Sequence, residues 1–202
     1  MKSIDAYKQL LNLDQPIITT IDAAACLNLK ITAASKMLER FVDSKLVIKI
    51  KRGLWAVSNI IDPLSLPEYL TSPLPCYISL QTALFFHGII SQIPETIYAV
   101  SLARTKQYNT SFGYISIHHI NVDFFFGFDV IDGTYIKIAS PEKALLDFLY
   151  LYPARSILFK SLPEIEITKK FNKQKALGML KKIKLISRRN MVKTRLINIL
   201  NK

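Results

Sequence analysis

Apolar residues at Ile4, Tyr7, Leu10 and Leu11 recur three and four apart in SIDAYKQLLN, the spacing of one helical stripe. Pro16 then closes that helix. Residues 17–47, IITTIDAAACLNLKITAASKMLERFVDSKLV, predict two short helices joined by a tight turn. Thr20 is placed to cap the first, from Ile21 to Leu27, with Asp22 favourable in its positive first turn. Asn28 suits a left-handed turn position. The second helix starts near Ile31 or Thr32 and runs to about Asp43. At about 100° per residue, Ala34, Leu38, Phe41 and Val42 share one face, while Thr32, Lys36, Glu39 and Arg40 point the other way. Such a pair is a helix-turn-helix candidate, although many helical hairpins share its pattern.

The next stretch, VIKIKRGLWAV, narrows the choice. Val47, Ile48 and Ile50, then Leu54, Trp55 and Val57, are strand formers around a Lys51-Arg52-Gly53 tip. Lys49 and Lys51 alternate with apolar residues, which makes one strand face basic. A basic-tipped hairpin directly after two such helices predicts a winged helix, whose tip lies on a phosphate backbone while the preceding helix enters the major groove. An ordinary charged hairpin is the competing reading.

Downstream, Asp62-Pro63 and prolines 67, 73 and 75 predict a linker over 61–76. SLQTALFFHGII reads as a helix capped by Ser79 and ended at Gly88. Four strands are predicted, Thr96–Leu102, Gly113–His118, Asp123–Phe128 and Tyr135–Ile138. A helix follows with Ser140 as cap, Pro141 at its first position and Glu142 near its positive end. Two further helices, about Asn172–Ile186 and Asn190–Leu200, close the chain. No internal repeat or low-complexity segment interrupts this order.

Charge sharpens the division. The chain of 202 residues carries a net +12. Residues 1–55 hold 9 Lys/Arg against 5 Asp/Glu, residues 56–152 hold 4 against 8, and residues 153–202 hold 14 against 2. Basic ends around an acidic middle suggest a polyanionic partner; a merely solvated surface is the bland alternative. No apolar run reaches the about 18 residues of a membrane span. The first residues, MKSIDAYKQLL, lack the apolar core of a signal peptide. Cys26 and Cys76 read as buried thiols of a reducing cytoplasm.

Enzyme chemistry finds little support. His118 and His119 sit on or beside a strand, so their side chains point to opposite faces, and His87 precedes a helix-ending glycine. No metal is expected. Asp123, Asp129, Asp132, Glu142 and Lys143 evoke a metal-dependent nuclease, which needs its Glu and Lys two apart on a strand; here they are adjacent in a helix start. No Gly-x-Ser-x-Gly elbow, Cys–His pairing or Gly-rich phosphate loop occurs. The run Phe124-Phe-Phe-Gly-Phe128 lies between Asp123 and Asp129, so a buried strand is favoured over a base-stacking platform. No catalytic residue and no cofactor are expected.

Three segments carry a resemblance to a known family: the Lys51-Arg52-Gly53-Leu54-Trp55 hairpin, Tyr77-Ile-Ser-Leu-Gln-Thr-Ala-Leu-Phe-Phe-His-Gly88, and Ile138-Ala-Ser-Pro-Glu-Lys-Ala-Leu-Leu-Asp147. Over about residues 5–152 the chain resembles the AbiEi-type antitoxins, the "transcriptional regulator of viral defence" group of type IV toxin–antitoxin, or abortive phage infection, systems. The resemblance implies a repressor of its own operon that also antagonises a nucleotidyltransferase-like toxin. The expected fold is α+β: a winged helix-turn-helix over 1–60, the linker, and an α+β antitoxin-like domain over 77–202 with a helical, basic C-terminus. The residues expected at DNA are Thr32, Ser35, Lys36 and Arg40 toward the bases, and Lys49, Lys51 and Arg52 toward the backbone. The expected partner is double-stranded operator DNA with inverted repeats, bound by two copies, with the oligomeric state in solution open and a monomer possible. Two alternatives stay open: a toxin-neutralising protein-binding module with little specific DNA binding, and a stand-alone regulator. A third reading makes the lysine-rich tail a nucleic-acid arm.

Overall fold

The computed structural model describes residues 3–58, 61–152 and 164–201. It is a mixed α+β chain in two compact units, Met1–Pro63 with Asn109–Gly113, and Leu64–Tyr108 with Tyr114–Lys202. Among the described residues, no helix is long and apolar enough to cross a membrane.

In the first unit, α1 (Ser3–Leu11), β1 (Ile17–Thr19), α2 (Thr20–Cys26), α3 (Ile31–Asp43), β2 (Ile48–Lys51) and β3 (Leu54–Ala56) follow in order. The three strands form an antiparallel sheet, β1-β3-β2. Strand β1 was not foreseen: three residues are too few to show alternation. It pairs Ile18 with Trp55 and draws Thr19 to the start of α2. Thr19, not Thr20, is therefore the cap. Its hydroxyl accepts from the Asp22 backbone N–H, and Asp22 accepts from the Thr19 backbone in return. Thr20 is instead turned inward, where its hydroxyl accepts from Trp55 Nε1 at 2.8 Å. Asn28 takes the left-handed conformation between α2 and α3, with φ 51°. Ala6, Leu10, Ile18, Ala23, Leu27, Ala34, Leu38, Phe41, Val47, Trp55 and Val57 close one core.

The segment expected as a linker holds a 3-10 turn, Pro63–Ser65, and helix α4 (Leu66–Thr71), whose Leu66 and Leu70 are buried. Pro67 sits in the first turn of α4, where the missing N–H costs no helical bond. A proline-rich composition thus marks a helix start here rather than a tether.

The second unit is built on a six-stranded sheet in the order β6-β7-β5-β4-β9-β8, comprising β4 (Cys76–Ile78), β5 (Thr96–Ser101), β6 (Lys106–Thr110), β7 (Gly113–His119), β8 (Phe128–Val130) and β9 (Lys137–Ala139). Strands β5 and β7 run parallel, as do β4 and β9, while β4/β5 and β8/β9 are antiparallel. Helices α5 (Leu80–Phe86) and α6 (Pro141–Leu151) pack on each other, and α7 (Lys173–Met179) and α8 (Ile186–Leu200) pack on α6. A 3-10 turn at Leu180–Lys182 separates α7 from α8, so the penultimate helix is shorter than its lysine-rich sequence predicts.

The strand expected at Asp123–Phe128 is largely absent. Val122–Phe124 is a 3-10 turn, and only Phe128 enters β8. Gly127 is the physical reason. It adopts φ 76°, and a Cβ there would meet the Lys143 side chain at 3.2 Å and Met179 at 3.3 Å. The aromatic run bends around Lys143 instead of extending.

Candidate nucleic-acid interface

Helix α3 sorts its residues by solvent. Ala34, Leu38 and Phe41 are buried in the first unit's core, with Tyr7 packed edge-on to Phe41. Thr32, Lys36 and Arg40 are exposed along the opposite side, and Ser35 is half-buried at its margin. The tight turn of four residues, 27–30, fixes where α3 begins: Leu27 is buried, Leu29 is half-buried, and Asn28 supplies the sharp reversal.

The hairpin that follows is held by its own interior. Leu54, Trp55 and Ala56 are all buried, and the Thr20 backbone N–H donates to Gly53 O at 3.1 Å. Gly53 turns the tip at φ 82°. Arg52 is exposed there, and Lys51 is half-buried beside it. A register irregularity between Lys49 and Lys51 breaks strict alternation on β2.

Lys49 is engaged within the unit. Its Nζ lies 2.5 Å from Glu39 Oε1 on α3 and 5.2 Å from the Trp55 ring centroid. Its charge is therefore partly answered within the unit. Periodicity places Glu39 on the outer face of α3, but nothing in the sequence links positions ten apart, so its pairing across to the hairpin shows only in the fold. Lys30, exposed and at the α3 N-cap without a side-chain capping bond, is a further cation at the helix start.

The segments carrying the family resemblance in the second unit meet in its interior. Lys143 and Asp147, one turn apart on α6, form an ion pair with both side chains fully buried. Tyr77 of β4 donates its hydroxyl to Asp147 Oδ2 at 2.9 Å, and Ser79 donates to the same oxygen at 2.8 Å. Ser79 holds the N-cap position of α5 but its hydroxyl makes no capping bond there; the Leu80 that follows takes φ 53°, an uncommon conformation for a branched side chain. The Lys143 ammonium lies 3.7 Å from the Phe124 ring centroid and 5.0 Å from that of Phe126. Burial lowers the Lys143 pKa and raises that of Asp147, each opposed by the other's charge. Burial also lifts the Tyr77 phenol, with the Asp147 carboxylate adding to it.

Glu142 joins this interior as well. Burial pushes its carboxyl up, but the Asn172 N–H at 2.8 Å, the Ser140 hydroxyl at 3.0 Å and Lys175 at 3.3 Å outweigh it and bring it below the ordinary value. Ser140 caps α6 by accepting from the Lys143 N–H, and His87 Nε2 meets Ala139 O at 2.7 Å. Part of the basic tail is spent internally: Lys184 pairs with Asp123 at 2.8 Å, and Arg188 donates to Tyr150 O at 2.6 Å while lying over that ring. His118 is buried and His119 exposed, and no cluster of His, Cys, Asp or Glu among the described residues could hold a metal ion. No family model matches the chain, and no curated protein matches it either.

Proposed function

We propose that the chain is a DNA-binding transcriptional repressor of the AbiEi antitoxin type, with residues 1–60 acting as a winged helix-turn-helix. One observation carries the reading: α3 exposes Thr32, Lys36 and Arg40 opposite a face sealed by Ala34, Leu38 and Phe41, and a hairpin tipped by Lys51 and Arg52 follows it. On duplex DNA, α3 lies in the major groove and the hairpin on the adjacent backbone. Lys36 and Arg40 reach guanine edges, Thr32 and Ser35 reach bases or nearby phosphates, and Lys51 and Arg52 act as point charges. Lys49 contributes less than its sequence position suggests, because Glu39 already answers its charge. One such unit covers one half-site, so an inverted-repeat operator takes two copies.

Selection of bound duplexes from a random pool, with the winner compared with the protein's own promoter, tests sequence-specific repression. A pool that never converges sinks it. In the same assay, Lys51→Ala with Arg52→Ala lowers the slope of log affinity against log salt by about 1 for each phosphate no longer neutralised. An unchanged slope removes the hairpin from the interface. Antagonism of a nucleotidyltransferase-like toxin is the second part of the proposal and rests on the resemblance of residues 77–88 and 138–147. Co-expression with a nucleotidyltransferase-like gene adjacent to this one checks it: growth is restored by the chain, or the toxin role falls.

A further inference from the structure

After the Lys30 cap, the first turn of α3 presents methyl groups and carries no charge. Ile31 opens the helix and is 55% exposed. Thr32 and Ala33, which follow it, are exposed too, and the turn contains no acidic residue. Ile31 takes no part in the hydrophobic cluster closed by Ala34, Leu38 and Phe41. On the helix it lies about 20° from Leu38, about 40° from Ser35 and about 100° from Thr32, at the edge of the apolar stripe, and its place in the first turn leaves it exposed. The side chains at the start of a groove-bound recognition helix reach deepest toward base edges. In the major groove the sole apolar group on any base edge is the C5-methyl of thymine. An aliphatic side chain there gains nothing from a guanine or adenine edge, and it would leave the cytosine amino group without an acceptor.

We infer that Ile31, with the Thr32 methyl beside it, selects thymine at one position of each operator half-site by apolar contact with its C5-methyl. The inference rests on the DNA-binding reading above and adds the base class that α3 reads at its leading end. Lys36 and Arg40, one and two turns further along, supply the guanine contacts. A half-site therefore carries its thymine toward the end where α3 enters the groove, and its guanines away from it.

The test uses the full chain and the duplex selected from a random pool. Each thymine of the half-site is replaced in turn by deoxyuridine, which deletes the methyl and keeps every hydrogen-bonding group. At one position per half-site the wild-type protein loses about fourfold in affinity, the worth of one buried methyl. Ile31→Ala binds the thymine duplex more weakly and no longer distinguishes it from the deoxyuridine duplex. Thr32→Ser, which keeps the hydroxyl and deletes one methyl, narrows the discrimination without abolishing it. Since Ile31 and Thr32 are exposed, both variants keep the thermal transition of the parent. Equal wild-type affinity for all the deoxyuridine duplexes overturns the inference while leaving DNA binding intact. So does an undiminished deoxyuridine penalty in Ile31→Ala. A pool without any preferred sequence overturns both the inference and the reading beneath it.

Discussion

Helices α3 and α6 carry similar mixtures of charge and hydrocarbon and put them to opposite uses. In α3, three apolar residues face the core and the charged ones face solvent. In α6, residues Glu142 to Leu149 are all buried, and among them are a glutamate, a lysine and an aspartate. A Lys–Asp pair one turn apart on an exposed helix contributes only a few tenths of a kcal/mol. Inside the second unit the same pair is wrapped by Tyr77, Ser79 and Phe124, and it fixes how β4, α5 and α6 meet. Polar residues on α3 thus leave stability nearly untouched, which is what the proposed recognition role requires of them. Those on α6 are committed to the architecture.

Asp147→Ala puts that contrast to its severest trial. It strands the Lys143 ammonium without a counter-ion and leaves the hydroxyls of Tyr77 and Ser79 without their acceptor. Breaking one side of a buried pair costs about 3–5 kcal/mol, read as a shift in the urea midpoint at constant slope. Lys143→Met with Asp147→Leu recovers much of that deficit, because an apolar replacement of both partners removes the stranded charge. If Asp147→Ala unfolds at the parental midpoint, the pair is no keystone and the comparison fails.

His118 extends the contrast to pH. It lies on β7, is 5% exposed, and sits 3.0 Å from Ser116 Oγ. Burial lowers its pKa from 6.5 to about 4. Between those values the unfolded chain holds a proton that the folded chain refuses. Stability therefore falls as pH drops from about 6.5 to about 4, by up to about 3 kcal/mol, and then levels. His118→Asn removes that portion of the acid slope. A stability profile that stays flat from pH 7 to pH 4 would show that the imidazole protonates in place.

The difference between the two helices also explains what could be read from the sequence. Helix α3 was legible to within a residue at its start, and so were its buried stripe, the turn at Asn28 and the hairpin around Gly53, because each follows from local periodicity or a single backbone requirement. The cap of α2 falls at Thr19 rather than Thr20, and Ser79, at the expected N-cap of α5, makes no capping bond, each for a non-local reason. Strand β1 pulls Thr19 to the helix start, and Asp147, sixty-eight positions away, captures the Ser79 hydroxyl. Strands β4 and β6 were missed, being short and set by pairing partners rather than by their own pattern. Within the aromatic run, only the environment of Lys143 reveals why Gly127 bends it. At the candidate interface the exposed side chains were identifiable one by one, whereas the Glu39–Lys49 pair depends on how the hairpin lies against α3.

That pair supplies the smallest effect and the sharpest probe of the α3 side. Glu39 and Lys49 meet at 2.5 Å with side chains 47% and 40% exposed. An exposed pair contributes about 0.2–1 kcal/mol, so Glu39→Gln changes the urea midpoint little. Its effect on DNA binding runs the other way from every other substitution on this face. On the proposed reading the carboxylate stands among groups that would approach phosphates, and it holds the Lys49 ammonium to α3. Neutralising it frees Lys49 for the backbone, so affinity rises severalfold at low salt and the salt slope steepens by about 1. If the chain binds an operator as proposed, a restrained lysine of this kind limits nonspecific binding more than specific binding, since the latter retains its base contacts. Glu39→Gln accordingly narrows the ratio between operator and random-sequence affinity. Weaker operator binding in Glu39→Gln would mean that the carboxylate itself accepts from a cytosine amino group. The ion pair would then be a feature of the free protein alone, and Lys49 would return to the set of backbone contacts.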